Sequence, residues 1–167
     1  LLVSTRLVTF VAFPNPTSSP DSTTYFSGRF MDFSLVSFSG SASRGWLVPF
    51  IYALMPNSTS LELFQLIFSG IAWCFLLLTI SAVKLMPNKP NNYLILILAL
   101  LGSSSQVIQH DTSVLSTSIT NSLFVILISL LIRTKFLVGS KSLNLYSGIF
   151  CSAMLMIQKT SFTPIAL

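Results

Sequence analysis

Four stretches of this chain are long enough, and apolar enough overall, to cross a lipid bilayer. A helix needs about 20 residues to traverse roughly 30 Å of hydrocarbon, with a tolerance near 17–25. Residues 61–85, 93–109, 113–132 and 142–158 meet that requirement; the first carries Glu62 near one end, Lys84 near the other, and no charge between them. Residues 1–13 predict a fifth span, cut short, because Pro14 and Pro16 block helix continuation. Arg6 followed by apolar residues to Phe13 reads as the tail of that span rather than as a signal peptide, which needs a basic start and a small-residue cleavage site. The chain begins Leu1-Leu2-Val3 without an initiator Met and stops at Ala166-Leu167, so the reading expects a fragment of a longer protein.

Charge supports the same class. Nine Lys or Arg and four Asp or Glu make 8% of the 167 residues, against roughly 25% in a soluble domain. So few charges cannot cover a water-facing surface. The basic residues are scattered, with no run that would mark a nucleic-acid surface. Cys74 and Cys151 sit inside apolar runs and read as small buried hydrophobes rather than a disulfide framework. The expected fold is all-α: a single polytopic membrane helix bundle over residues 1–167, with about five spans and interfacial amphipathic helices in a long first outer loop.

Cytoplasmic loops are enriched in Lys and Arg. The connection 84–92 carries Lys84 and Lys89, and 133–141 carries Arg133, Lys135 and Lys141. Placing both on the cytoplasmic side of the cell membrane sends Asp21, Asp32, Glu62 and Asp111 to the outer face. The loop 14–60 then lies outside. It opens with Ser, Thr and Pro residues that favour turns. Phe26, Phe30 and Phe33 follow at the spacing of a short helix, and residues 46–55 form an apolar stretch of about 15 Å. Both predict helices lying in the interface, with Trp46 and Tyr52 at headgroup depth.

Asp21 lies just beyond the first stretch. A carboxylate at the membrane surface, shielded by aromatics, would hold its proton more tightly and could act as a general base; Asp also suits a turn or an N-cap. His110-Asp111 falls in the expected short outer turn between two spans. Asp111 would cap the next helix, or would meet Asp21 in an outward cavity where His110 shuttles a proton or binds a ligand. A lone His gives no zinc set. Arg29, Arg44 and Lys159 are the basic residues expected outside; they suit a lipid-linked phosphate or ordinary anionic headgroups. Gln65 and the polar cluster from Ser116 to Ser122 read as interhelical hydrogen-bonding groups. No phosphate-binding glycine loop, CxxC or GxSxG occurs. Asn57-Ser58-Thr59 matches a glycosylation acceptor, a tripeptide common by chance.

Asp21-Ser22 with Tyr25, Arg44-Gly45-Trp46 with Pro49 and Tyr52-Ala53-Leu54, Gln65-Leu66 with Ser69 and Ala72-Trp73, and His110-Asp111-Thr112 with Leu115-Ser116, Ser118 and Ser122-Leu123 follow one another in order. This series resembles a group of actinobacterial membrane proteins that look like the N-terminal part of GT-C class glycosyltransferases. The resemblance implies transfer of a sugar from a polyprenyl-phosphate donor to an acceptor on the outer face. An acidic residue in the first outer loop then serves as base or divalent-metal contact, the position that Asp21 matches, and Asp111 matches the second acidic position. Tyr25, Arg29, Arg44, Gln65, His110 and Lys159 become candidate substrate contacts, with donor and membrane lipids as partners. The chain departs from that pattern at His110, where a Trp is common, at Thr117, where a Glu is common, and at Gln158-Lys159, where an Arg is common. Two other classes remain: a transporter subunit, which predicts polar groups and broken helices at mid-span, and a non-catalytic membrane protein whose acids are caps. The spans look apolar at their middles, with the carboxylates at their edges.

Overall fold

The computed structural model describes residues 1–13, 47–83, 91–113, 116–136 and 141–158. They form seven helices: α1 (Leu2–Ala12), α2 (Leu47–Leu54), α3 (Ser58–Ala82), α4 (Asn92–Gly102), α5 (Ser105–Asp111), α6 (Ser116–Phe136) and α7 (Lys141–Gln158). Two of these, α3 and α6, are long and apolar enough to cross a membrane; the count is three when α4 and α5 are taken as one bent span. Helices α1 and α7 are shorter apolar helices.

Local chemistry sets the boundaries. Helix α3 begins at Ser58, ahead of the first long apolar run, because Asn57 caps it: the Asn57 Oδ1 accepts from the Ser60 backbone N–H at 2.8 Å and from its hydroxyl at 2.9 Å. At the other end Asn91 Nδ2 donates to the carbonyls of Ile80, at 2.8 Å, and Val83. That contact ties the start of α4 to the last turn of α3. The apolar run 93–109, expected as one helix, is instead broken. Helices α4 and α5 meet at 48° across Ser103 and Ser104, and the Ser104 hydroxyl accepts from the Val107 N–H to restart the helix. His110 and Asp111 therefore occupy the last turn of α5 and not a turn between spans.

Helix α3 is the central element, with α6 along one side and α1 and α4 along others. Ala72, Trp73, Leu76 and Ile80 of α3 pack with Val125 of α6 and Leu2 of α1. Gly102 makes the close approach of α4 workable, since a Cβ there would stand 2.7 Å from Trp73 Cδ2 and 2.9 Å from Leu2 Cδ2. Helix α7 packs against α6, where the Cys151 thiol donates to the Leu123 carbonyl at 3.1 Å. Both cysteines are free. Leu7, Val8 and Val11 of α1, Ile67, Ile71 and Leu78 of α3, and Ile149 and Phe150 of α7 are exposed apolar side chains, a surface that hydrocarbon would cover.

The stretch 46–55 does contain a helix, but α2 is not laid out as expected. Val48, Tyr52 and Ala53 are buried, and Val48 and Tyr52 form a second core with Leu61 of α3 and Ile119 of α6. Tyr52 thus sits inside the protein and not at a headgroup surface, because the apolar ends of α3 and α6 offer a better-packed partner. The Phe26, Phe30 and Phe33 stripe, with Trp46, lies outside the described residues.

Candidate functional site: a buried arginine–aspartate centre

Arg6 is an arginine in the middle of an 11-residue apolar helix, and its charge has to be met inside the protein. Its side chain is 4% exposed and makes an ion pair with Asp111, Nη2 to Oδ2 at 3.2 Å. The same Nη2 donates to Ser69 Oγ at 2.8 Å. Nη1 donates to the carbonyl of Gly102 at 3.1 Å and to that of Leu2, one turn earlier on its own helix, at 3.2 Å. Gly70 gives the arginine stem room to lie across α3: a Cβ there would meet Arg6 Cδ at 3.3 Å.

Asp111 closes the arrangement. Its remaining oxygen, Oδ1, accepts from Ser118 Oγ at 2.7 Å, so both carboxylate oxygens are engaged. One charge-neutral cluster thereby joins α1, the middle of α3, the last residue of α4, the end of α5 and the first turn of α6. The position matters. Ser69 is the twelfth of the 25 residues of α3, so this ionic centre is at the helix's middle, where the amino-acid pattern had suggested only apolar groups. Burying two charges is costly, and such a pair persists only where geometry and further hydrogen bonds satisfy both partners. Here the four bonds of the two terminal nitrogens and the Ser118 contact do so, while Arg6 Nε is buried without a partner among the described residues.

Chemically this centre is an anchor. A carboxylate with both oxygens occupied is not poised to take a proton from a substrate, and a guanidinium does not titrate near neutrality. Ser122 extends the polar seam along α6, its hydroxyl donating to the Ser118 carbonyl at 2.8 Å.

Toward the N-terminal end of α3 lies a second polar group of a different kind. Glu62 is fully buried, and neither carboxylate oxygen has a hydrogen-bond partner among the described residues. Gln65, one turn on, is also fully buried. His110 is exposed, facing away from the centre that its neighbour Asp111 enters. Among the described residues no three His, Cys, Asp or Glu side chains gather as a metal-ligand set.

Of the residues singled out in the sequence, the structure brings Asp111 into the buried centre and places Gln65 in the α3 interior. Asp21, Tyr25, Arg29, Arg44 and Lys159 lie outside the described residues, as does any approach of Asp21 to Asp111. Two residues went unrecognised. Arg6 was read as the flank of a span, although an arginine inside an apolar segment is itself a signal of an interior partner. Glu62 was read as an acid at a span's edge, and nothing in its neighbours marks its burial.

No known family's sequence pattern matches this chain, and neither a curated protein nor a solved structure matches it.

Proposed function

We propose that the chain works as a GT-C-like membrane glycosyltransferase, moving a sugar from a polyprenyl-phosphate donor to an acceptor on the outer membrane face. In this reading α1, α3, the bent α4–α5 pair, α6 and α7 are five crossings of the cell membrane. The connections rich in Lys and Arg lie in the cytoplasm and the 14–60 segment lies outside. One observation carries the reading. Ser69 and Asp111 come from separate pieces of the ordered series that resembles GT-C proteins, and both bond Arg6, while Ser118, from the same piece as Asp111, donates to the other oxygen of that carboxylate. Gln65, Ala72 and Trp73 from the same series are buried in the same helix. Residues that recur together in order have a physical reason to do so when they build one centre.

The geometry also divides the roles. Asp111, held on both oxygens, fixes the α5–α6 corner. Asp21 remains the candidate base or divalent-metal contact, and Arg44 and Lys159 the candidate phosphate contacts. The experiment is transfer from a radiolabelled polyprenyl-phosphate sugar by membranes containing the wild type or Asp21→Asn, with insertion checked in both. Transfer by the wild type that collapses in the variant supports the reading. Equal transfer removes Asp21 from the chemistry.

A second reading has its own observation. An ion pair at the middle of a span beside a helix broken at 48° is the arrangement found where transporters bind their cargo. Absence of transfer with every donor tried, together with substrate flux in proteoliposomes, would place this reading first.

A further inference from the structure

A groove of about 640 Å³ runs between α1 and α5, separate from the Arg6–Asp111 centre. Its volume falls within the range of small-molecule sites, roughly 300–1,000 Å³. Its lining is unusual for a bundle with so apolar a surface. Six of the ten lining residues carry hydroxyls and a seventh, Gln109, carries an amide; no charged side chain contributes.

The hydrogen-bond directions narrow the ligand. Thr5 Oγ1 donates to the carbonyls of Leu1 and Leu2 at 3.1 Å, Thr9 Oγ1 to that of Thr5 at 2.9 Å, and Thr112 Oγ1 to that of Gln109 at 3.1 Å. Each of these hydroxyls has therefore committed its proton to the backbone and keeps only acceptor capacity for a ligand. At the helix break Ser103 lines the same groove, its Oγ buried and without a partner among the described residues. Most of the accessible wall is nonetheless apolar, and it includes Phe13, a residue that is 67% exposed.

A ligand that fits this wall is neutral, brings several donors, and offers an apolar face to an aromatic ring. The geometry points to a binding site for the uncharged polyhydroxylated head of a membrane glycolipid, a sugar ring with its C–H face toward Phe13 and its hydroxyls donating to Thr5, Thr9 and Thr112. The sugar is borne on a lipid, because the α1 wall of the groove includes the exposed Val8 and continues to the exposed Val11, against which a hydrocarbon chain would lie. A phosphate is not accommodated, since the arginine of α1 is committed to Asp111 and Ser69. The site is argued from its lining alone and is read without turnover, so it stands or falls separately from glycosyl transfer.

The test uses the full chain in lipid nanodiscs with a diazirine-bearing alkyl β-glucoside. Labelling should map to peptides of α1 and α5. Excess unlabelled alkyl glucoside should compete, and methyl glucoside should not. Thr9→Val keeps the side-chain shape and removes the acceptor; it should lower labelling about tenfold, the effect of one good hydrogen bond, while Thr9→Ser should retain it. Circular dichroism and monodispersity of each variant separate loss of binding from loss of fold, and Gln109→Leu, on the other wall, gives an independent second variant. The proposal is overturned if a diazirine-bearing alkanol without the sugar labels the groove equally, which would make it a hydrocarbon site. Equal competition by methyl glucoside would also overturn it, as would unchanged labelling in both Thr9→Val and Gln109→Leu.

Discussion

Removing the Arg6 side chain should be among the most damaging single changes available to this bundle. In Arg6→Ala, Asp111 keeps its bond from Ser118 but loses its ion pair, while Ser69 and the Gly102 carbonyl lose the donor they share. Asp111 is 2% exposed, so water does not replace what is lost. Breaking a buried pair by deleting one partner costs about 3–5 kcal/mol, which is about two to three and a half decades in the folding equilibrium. The assay is built into the chain. Cys151 is buried and Cys74 half-buried, both as free thiols, so maleimide labelling in mild detergent reports opening of the bundle. Arg6→Lys should recover only part of the loss, because one ammonium cannot reproduce a fork that serves Ser69, Asp111 and Gly102 together. Arg6→Met combined with Asp111→Leu should be milder than Arg6→Ala alone, since no charge is then left unpaired. The reasoning fails if Arg6→Ala unfolds within about 0.5 kcal/mol of wild type, or if a double-mutant cycle finds the two positions additive.

Three further outcomes follow from the packing. Gly102→Ala would place a Cβ 2.7 Å from the Trp73 ring, and the forced shift should cost about 1–3 kcal/mol, seen as earlier thiol exposure on heating. Gly148→Ala meets nothing closer than Leu127 Cδ1 at 4.0 Å, so the same substitution in α7 should be neutral or stabilising by up to about 1 kcal/mol. Glu62→Gln removes a buried ionisable group that has no partner among the described residues and should raise stability at neutral pH by about 1–3 kcal/mol; a less stable variant in the same labelling assay would mean that the carboxylate is engaged.

Hydropathy made the helices of this chain legible, and capping chemistry explains where the reading slipped. The starts of α3 and α6 and the extent of α7 fall within a few residues of the apolar runs, because a run long enough to cross hydrocarbon leaves the backbone no alternative to helix. The break between α4 and α5 was not legible. Gly102-Ser103-Ser104 contains no proline, and a serine cap weighs little against the apolar residues on either side. The Arg6–Asp111 contact joins residues 105 apart, and spacing rules carry no information over that separation. Ser118 reads in the sequence as a helix-packing group, which is part of what it does, while Ser69 carries no such signal by itself; that Ser69 meets the Arg6 guanidinium and Ser118 the Asp111 carboxylate depends on how four segments fold together.

The ionic centre bears differently on the two functional readings. A transporter that carried a proton or cation on Asp111 would have to release Arg6 and Ser118 from its oxygens in each cycle, at a cost comparable to that of deleting the pair. The five hydrogen bonds gathered there favour a centre that stays closed. A transferase needs such a fixed corner, because transfer chemistry depends on holding the reacting groups within a narrow range of geometry. If the chain is the transferase proposed above, the pair frames the site without reacting, and Asp21→Asn tests function while Arg6→Ala tests architecture.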